Sequence, residues 1–429
     1  MAWLCTCRSN NSDCRVKEKA MTSIKDIPLS DLDPSVQTRF QSGEHFEVFD
    51  RLRAEAPVYF HETTQYGPFW SISKYKDIIE VEANPKVFSS DAAYGGIWIK
   101  EQPKDTIRKS FMTADQPEHD QQRKVVNPIV SPSNLHDMEQ KVRDIVTLVL
   151  DDLPLNEEID WVERVSVEVT GRVLCELMDF PVEERMDLTT WSDIVNTDVD
   201  AGTEITDEYV KLEKLKPMII KFKELFAERT GMPPQNDLIS MLAHSQETAN
   251  MEPQQFVGML VLLMVGGNDT TRNSISGGLD ALNKFPEEYK KLRENPELVE
   301  SMVPEIIRWV TPVAHMRRTA LEDIEFHGQQ IKKGDKVIMW YCSGNRDPEV
   351  IEDPYTFKID RKNPRQHVSF GFGIHRCLGN RMAELQLRVL WEEILKRGWV
   401  IETTGEPERR FSNFVVGIDS LKAIIRKPA

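Results

Sequence analysis

Residues 370–379, FGFGIHRCLG, place one cysteine in a loop of three glycines, directly before a stretch with helical periodicity. The glycines keep side chains away from the surface around the sulfur. At the start of the following helix, the Cys377 sulfur meets free backbone N–H groups, which favour a thiolate. A thiolate beneath a flat, uncrowded surface is what an axial ligand of haem iron requires. A buried, inert cysteine is the alternative, but it does not account for the glycines, His375 and Arg376.

A second motif, GGNDTT, occupies residues 266–271 in the middle of the longest apolar stretch. Two glycines weaken a helix, and a threonine hydroxyl in mid-helix can bond the carbonyl one turn back and distort the hydrogen-bond ladder. We expect a local opening of the helix here, at which Asp269 and Thr270 carry out acid–base chemistry. Taken alone, the motif is equally consistent with a glycine kink in a core helix.

Net charge and hydropathy exclude several classes of protein. The 54 Lys and Arg against 70 Asp and Glu give a net charge of −16, which repels nucleic-acid phosphates. The longest apolar run, residues 256–265, falls short of the about 20 residues that cross a membrane. The first 20 residues lack the apolar core of a signal peptide. Three of the six cysteines lie in the first 14 residues and three are single, which suits a reducing compartment. We therefore expect a cytoplasmic protein without a membrane span or a nucleic-acid partner.

Hydrophobic periodicity predicts a mainly α protein with a minor sheet. The predicted helices cover residues 135–153, 162–178, 207–229 and 253–285. The predicted strands are a hairpin from residues 57–60 and 69–72, a strand around Glu325, and strands over residues 336–340 and 414–425.

The amino-terminal 20 residues differ from the rest of the chain. They are polar and aperiodic, so we expect a disordered extension. Cys5, Cys7 and Cys14 lie within it, but their spacing matches no zinc-ligand pattern. We expect residues 21–429 to form one domain.

The loop around Cys377 resembles the haem-ligand loop of the cytochrome P450 superfamily, Phe-x-x-Gly-x-x-x-Cys-x-Gly, and the resemblance extends over about residues 21–427. It implies a triangular helical prism with a small β-rich lobe, and haem b with Cys377 as its axial ligand. It also implies that Asp269 relays protons and that Thr270 holds oxygen at the haem. The implied reaction inserts one atom of O2 into an unactivated C–H bond.

Further residues match motifs of this superfamily. Glu305 and Arg308 match its Glu-x-x-Arg, and Arg361 matches the arginine that completes this ion pair, so we interpret all three as structural. The residues that match its partners of the haem propionates are His119, Arg123, Arg318 and His375. Each of these four, taken alone, is equally well explained as a solvated surface charge.

Three segments resemble one subgroup of the superfamily, the bacterial terminal hydroxylases of alkanes and fatty acids. They are residues 265–274, 303–309 and 315–318. The resemblance implies an apolar substrate pocket. Its expected lining residues are Ile97, Trp98, Leu262, Val265, Gly266, Val313, Ala314, Met316 and Phe414. Ordinary core packing explains any single one of them equally well.

The sequence contains no flavin or nicotinamide motif, so a separate protein must supply electrons. The resemblance implies a ferredoxin with its ferredoxin reductase. The basic residues expected to receive the ferredoxin are Lys124, Arg376, Arg381 and Arg388. A solvated charged face is the alternative explanation.

Three alternative functions stay open at this point. A terpene or steroid hydroxylase of the same superfamily would carry the same motifs. A peroxide-driven haem enzyme is expected to lack the acid–alcohol pair, which is intact here as Asp269 and Thr270. A non-enzymatic haem sensor would have no use for that pair.

Overall fold

The computed structural model describes residues 23–427. Helices dominate this part of the chain, which confirms the predicted mainly α class. The α-helices are α1 (Gln37–Ser42), α2 (His45–Glu55), α3 (Tyr75–Glu82), α4 (Glu118–Val126), α5 (Pro132–Asp151), α6 (Glu168–Met178), α7 (Arg185–Asn196), α8 (Glu208–Lys214), α9 (Lys216–Thr230), α10 (Leu238–His244), α11 (Pro253–Lys284), α12 (Pro286–Glu294), α13 (Val299–Val310), α14 (Tyr341–Gly344) and α15 (Asn380–Lys396).

The strands form small sheets beside the helices. They are β1 (Val58–His61), β2 (Phe69–Ile72), β3 (Phe88–Ser89), β4 (Glu158–Asp160), β5 (His315–Ala320), β6 (Ile324–Phe326), β7 (Gln329–Ile331), β8 (Lys336–Trp340), β9 (Val400–Thr403), β10 (Glu408–Arg409), β11 (Ile418–Ser420) and β12 (Lys422–Arg426). The five-stranded sheet has the order β1-β2-β8-β5-β3, in which β2 and β8 are parallel and the other pairs are antiparallel. A second sheet has the order β4-β12-β9, and β6-β7 and β10-β11 are two-stranded.

Several predicted elements differ from the observed ones. The helix predicted over residues 207–229 is two helices, α8 and α9, because Pro217 in the first turn of α9 has no N–H with which to continue α8. The helix predicted over residues 162–178 opens with a π-helical segment, Val162–Val167, and continues as α6. The strand predicted over residues 414–425 is shared between β11 and β12. The extension predicted for residues 1–20 lies outside the described residues.

The long helix α11 lies at the centre of the molecule and contacts α6, α7, α13 and α15. It begins at Pro253, where a missing N–H costs no helical hydrogen bond, and it ends at Lys284 before Pro286. The helical pattern runs through residues 266–271 without interruption, so the motif does not break α11. The hydrophobic effect accounts for this: the side chains on both flanks of the motif are buried against neighbouring helices.

A buried ion triad joins α13 to the segment that follows α14. The Arg308 Nε lies 2.7 Å from Glu305 Oε2, and the Arg361 Nε lies 2.8 Å from the same oxygen. Arg308 also donates to the carbonyl oxygens of Asn345 and Pro354. These bonds join α13 to one segment, residues 345–361, and their role is structural.

No helix among residues 23–427 has the length and apolar character needed to cross a membrane.

Candidate active site

The loop that carries Cys377 is shaped by glycines with positive φ. Gly371 and Gly373 both have φ of 65°, and a Cβ on Gly373 would overlap the backbone of Glu82. The Cys377 N–H donates to the Phe370 carbonyl oxygen at 2.8 Å and closes the loop. The next helix, α15, begins at Asn380 rather than directly after the cysteine.

The protein environment acts on the Cys377 thiol in two opposing ways. Burial raises its pKa, whereas the N–H groups of Gly379 and Asn380 and the positive charge of Arg123 lower it. Burial is the larger effect, so the helix start does not by itself produce the thiolate that the sequence predicts. A coordinating metal ion removes a thiol proton outright, which makes this sulfur a suitable metal ligand.

An internal cavity lies between this loop and α11. Cys377, Phe370 and Leu378 line it from the loop, and Gly266 and Thr270 line it from α11. The predicted pocket residues that line the cavity are Ile97, Trp98, Leu262, Val265, Gly266, Val313, Met316 and Phe414.

Ala314 is the exception among the predicted pocket residues, and it does not line the cavity. Its side chain is fully buried and packs in the core with Ile338 and Trp340. The preceding residue, Val313, lines the cavity instead.

A cluster of basic side chains, buried except for the half-buried Arg123, lies at one edge of the cavity. Arg123, Arg318 and His375 line it, and the His119 ring packs edge-on against His375 at 4.6 Å. Burial and the nearby cations lower the pKa of His375 to about 2. The Nε2 of His119 and the Nδ1 of His375 are buried without a hydrogen-bond partner among the described residues.

These groups fit haem b. Buried polar atoms that lack partners are costly, and the two propionates of haem b are acceptors for arginine N–H groups and for a ring nitrogen that carries a proton. The sulfur of Cys377, which lines the same cavity, is the matching axial ligand.

Arg318 has an anionic neighbour, Glu82, that sequence patterns do not predict. Its Nη2 lies 3.3 Å from Glu82 Oε1 at the end of α3, and Glu82 also accepts hydrogen bonds from Tyr341 and from the Phe372 N–H. Burial raises the pKa of Glu82, and Arg318 opposes that shift. Glu82 therefore connects α3, β5 and the cysteine loop.

Asp269 and Thr270, adjacent in sequence, face different surroundings. Thr270 lines the cavity, whereas Asp269 is fully buried and accepts a hydrogen bond from Asn196 Nδ2 on α7 at 2.9 Å. Consecutive residues of an α-helix point about 100° apart, so the two side chains cannot share one direction. The predicted acid–alcohol pair is thus divided between the cavity wall and the interface of α11 with α7.

Several polar side chains surround the Asp269 carboxylate. Burial raises its pKa, and the positive charges of Arg272 and Arg410 oppose this effect. Ser192 donates a hydrogen bond to it, and the Arg410 Nη1 lies 3.6 Å from Oδ1. The three-residue spacing of Asp269 and Arg272 could have predicted that contact; Ser192 and Arg410 lie far away in sequence and carry no such signal.

The predicted ferredoxin-binding residues do not behave alike. Lys124, Arg376 and Arg381 are exposed and form no ion pair among residues 23–427. Arg388 instead binds acidic side chains, with Nη2 3.0 Å from Glu139 Oε2. Arg388 is therefore not available as a positive docking residue, because its charge is neutralised on the same surface.

The sequence matches the profile of the family described as Cytochrome P450 over residues 35–424. The chain belongs to the cytochrome P450 family. This confirms the expected family, fold and haem b cofactor, and it makes the chain a P450 monooxygenase, an oxidoreductase. When bound, haem b supplies the chemistry that activates O2.

Similar proteins place this P450 among bacterial relatives. It is 36% identical to linalool 8-monooxygenase from Pseudomonas putida, over 88% of this chain and 95% of that one. It is 31% identical to a methyl-branched lipid omega-hydroxylase from Mycobacterium tuberculosis, over 87% of this chain and 89% of that one. A solved structure of cytochrome P450-153 from Novosphingobium aromaticivorans is 41% identical, with a TM-score of 0.87 and coverage of 92% and 99%.

Proposed function

We propose that this P450 hydroxylates the terminal carbon of a medium-chain alkane or fatty acid. The observation that carries the proposal is the apolar wall beside Thr270. Leu262 and Val265 of α11, Val313 and Met316 from the segment at β5, and Phe414 near the carboxyl terminus all line the same cavity. Aliphatic and aromatic walls with few polar groups suit a hydrocarbon chain.

Terminal selectivity must come from positioning. A primary C–H bond is less reactive than the interior ones, so the protein has to hold the chain end nearest the reacting centre. The name of the lipid omega-hydroxylase relative supports this assignment, since the omega carbon is the chain terminus.

In this proposal, the residues of the cavity divide the work. Cys377 ligates the haem iron, and Arg123 and His375 bind the propionates. The Thr270 hydroxyl would offer a hydrogen bond to O2 in the cavity. Asp269, which is buried behind the cavity wall, would donate and accept protons. Proton transfer from Asp269 requires its carboxylate to move away from Arg272 or Arg410, because both arginines contact it.

We also propose that a ferredoxin, reduced by a ferredoxin reductase, delivers the electrons. Arg376 belongs to the cysteine loop and Arg381 follows it closely. Lys124 is the neighbour of Arg123, whose Nη2 donates to the Arg376 carbonyl oxygen. These three exposed side chains, Lys124, Arg376 and Arg381, give an acidic donor a local positive surface. Complementary charge of this kind mainly raises the rate of encounter.

A terpene alcohol is the second candidate substrate, because linalool 8-monooxygenase is 36% identical to this chain. The experiment that separates the two candidates is a substrate-binding optical titration of the haem-loaded protein with dodecane, dodecanoic acid and linalool. Turnover of each ligand with a bacterial ferredoxin and reductase accompanies it. We expect tighter binding and faster oxidation of a linear chain. Preference for linalool in both measurements would replace the proposal with terpene hydroxylation.

A further inference from the structure

A buried arginine without an anionic partner lies in the wall of the cavity. Arg108 is only 7% exposed. Its Nε is buried without a hydrogen-bond partner, and its guanidinium forms no ion pair with any residue in the range 23–427. Burial lowers the pKa of this guanidinium, and the nearby Glu208 carboxylate opposes that shift. A buried cation in this state is costly, and an anion in the cavity would offset the cost.

The position of Arg108 is fixed by close packing against α11. The backbone of Lys109 lies so near Gly258 that a Cβ there would overlap the Lys109 carbonyl oxygen. The Arg108 guanidinium carbon lies 5.5 Å from the centre of the Trp98 ring, another residue of the cavity wall. Gly258 precedes Gly266 by about 12 Å along the axis of α11. Arg108 and Thr270 are therefore well separated in one cavity, with apolar side chains between them.

The other charged groups near Arg108 already have partners. The Lys211 Nζ lies 3.0 Å from Glu208 Oε1, so this pair is internally neutral. Asp198 accepts a hydrogen bond from Gln37 Nε2 at 3.0 Å. Among residues 23–427, the Arg108 guanidinium is a charged group of this part of the cavity without a direct partner.

We propose that Arg108 binds the carboxylate of a fatty-acid substrate whose methyl end lies beside Thr270. A guanidinium presents paired N–H donors that match a carboxylate, and it stays charged when buried. Binding the carboxylate at Arg108 determines how far the chain reaches along the cavity towards Thr270. This is the positioning that terminal oxidation requires. This inference rests on the proposed function and narrows its substrate from alkanes and fatty acids to fatty acids.

The test compares ligands that differ only in the head group. Dissociation constants for dodecanoate, methyl dodecanoate and dodecane are measured by optical titration of the haem-loaded protein and by calorimetry. We expect dodecanoate to bind the wild type more tightly than its methyl ester by roughly ten- to a hundredfold, the range of a charge-assisted hydrogen bond. Arg108→Leu should remove this difference and leave dodecane binding unchanged, and Arg108→Lys should restore part of it.

The matched control is Arg426→Leu, which removes an exposed arginine paired with Glu402 on β9. It should leave all three dissociation constants unchanged. A wild-type ratio of acid to ester affinity near one would overturn the Arg108 site, and this comparison needs no variant. An acid-to-ester affinity ratio that is unchanged in Arg108→Leu would also overturn it. So would a loss of dodecane affinity in Arg108→Leu as large as the loss of dodecanoate affinity.

Product analysis separates this inference from the proposed function. Interior oxidation of dodecanoate, with an affinity ratio that depends on Arg108, would contradict terminal hydroxylation and leave the carboxylate site standing. Terminal oxidation of dodecane with an affinity ratio near one would uphold terminal hydroxylation and contradict the carboxylate site.

Discussion

The hydroxyl of Thr270 donates a hydrogen bond of 3.2 Å to the carbonyl oxygen of Gly266, one turn earlier in α11. Both residues line the cavity, and the helix between them is continuous. The threonine hydroxyl is therefore oriented by its own helix. Its lone pairs remain available to accept a second hydrogen bond.

Replacing Thr270 with Ala removes this hydroxyl without touching the predicted haem ligands. Substrate affinity and haem content should stay near wild type, while much of the consumed O2 should appear as peroxide instead of product. The ratio of product formed to electrons consumed measures this. Thr270→Ser is the matched control and should retain most of the coupling. An unchanged ratio in Thr270→Ala would contradict the assigned role.

The buried ion triad predicts a large effect on stability. Glu305→Gln leaves Arg308 and Arg361 without their shared carboxylate, and breaking a buried ion pair in this way costs about 3–5 kcal/mol. Thermal unfolding of the haem-loaded protein should show a clearly lower midpoint. Glu402→Gln removes one member of an exposed pair and should have almost no effect. Equal midpoints for Glu305→Gln and the wild type would refute the structural role.

The ferredoxin proposal predicts a charge-dependent rate. Arg381→Glu should slow reduction of the P450 by ferredoxin and leave substrate affinity unchanged, because Arg381 is exposed and lies away from the cavity lining. Added salt should slow the wild-type reaction as well, since the Debye length is about 8–10 Å near physiological ionic strength. Arg426→Glu, a charge reversal on β12, is the control. If the stopped-flow rates respond to neither salt nor Arg381→Glu, ferredoxin does not dock at this surface.

The assignment of Cys377 makes a spectroscopic prediction. The reduced carbon monoxide complex of the wild type should show the red-shifted Soret band of a thiolate ligand. Cys377→Ser should abolish this band, whereas Cys175→Ser, which alters a buried cysteine on α6, should preserve it. Persistence of the band in Cys377→Ser would assign the ligand to another residue.

Local sequence patterns predicted much of the fold. The hairpin of β1 and β2, the strand β8 and the extent of α11 follow from periodicity and from proline positions within a few residues. The division between α8 and α9 depends on Pro217, a local signal that the sequence contains. The cysteine loop was found because its glycines and its ligand are contiguous.

The parts of the site that sequence reasoning missed depend on contacts between distant segments. Glu82 meets Arg318, and Arg410 meets Asp269, only because the chain folds back on itself. Arg108 looks like any polar loop residue until its burial is known. Periodicity reports which face of one element is apolar, and it carries no information on which distant charge that element will meet.

The position of oxygen in the product tests the proposed function most directly. Dodecane and dodecanoic acid are turned over by the wild-type protein with a ferredoxin and its reductase, and the hydroxylated products are separated and identified by mass spectrometry. Hydroxylation at the terminal methyl carbon should dominate for at least one of the two chains. Products hydroxylated mainly at interior carbons in both cases would contradict terminal hydroxylation.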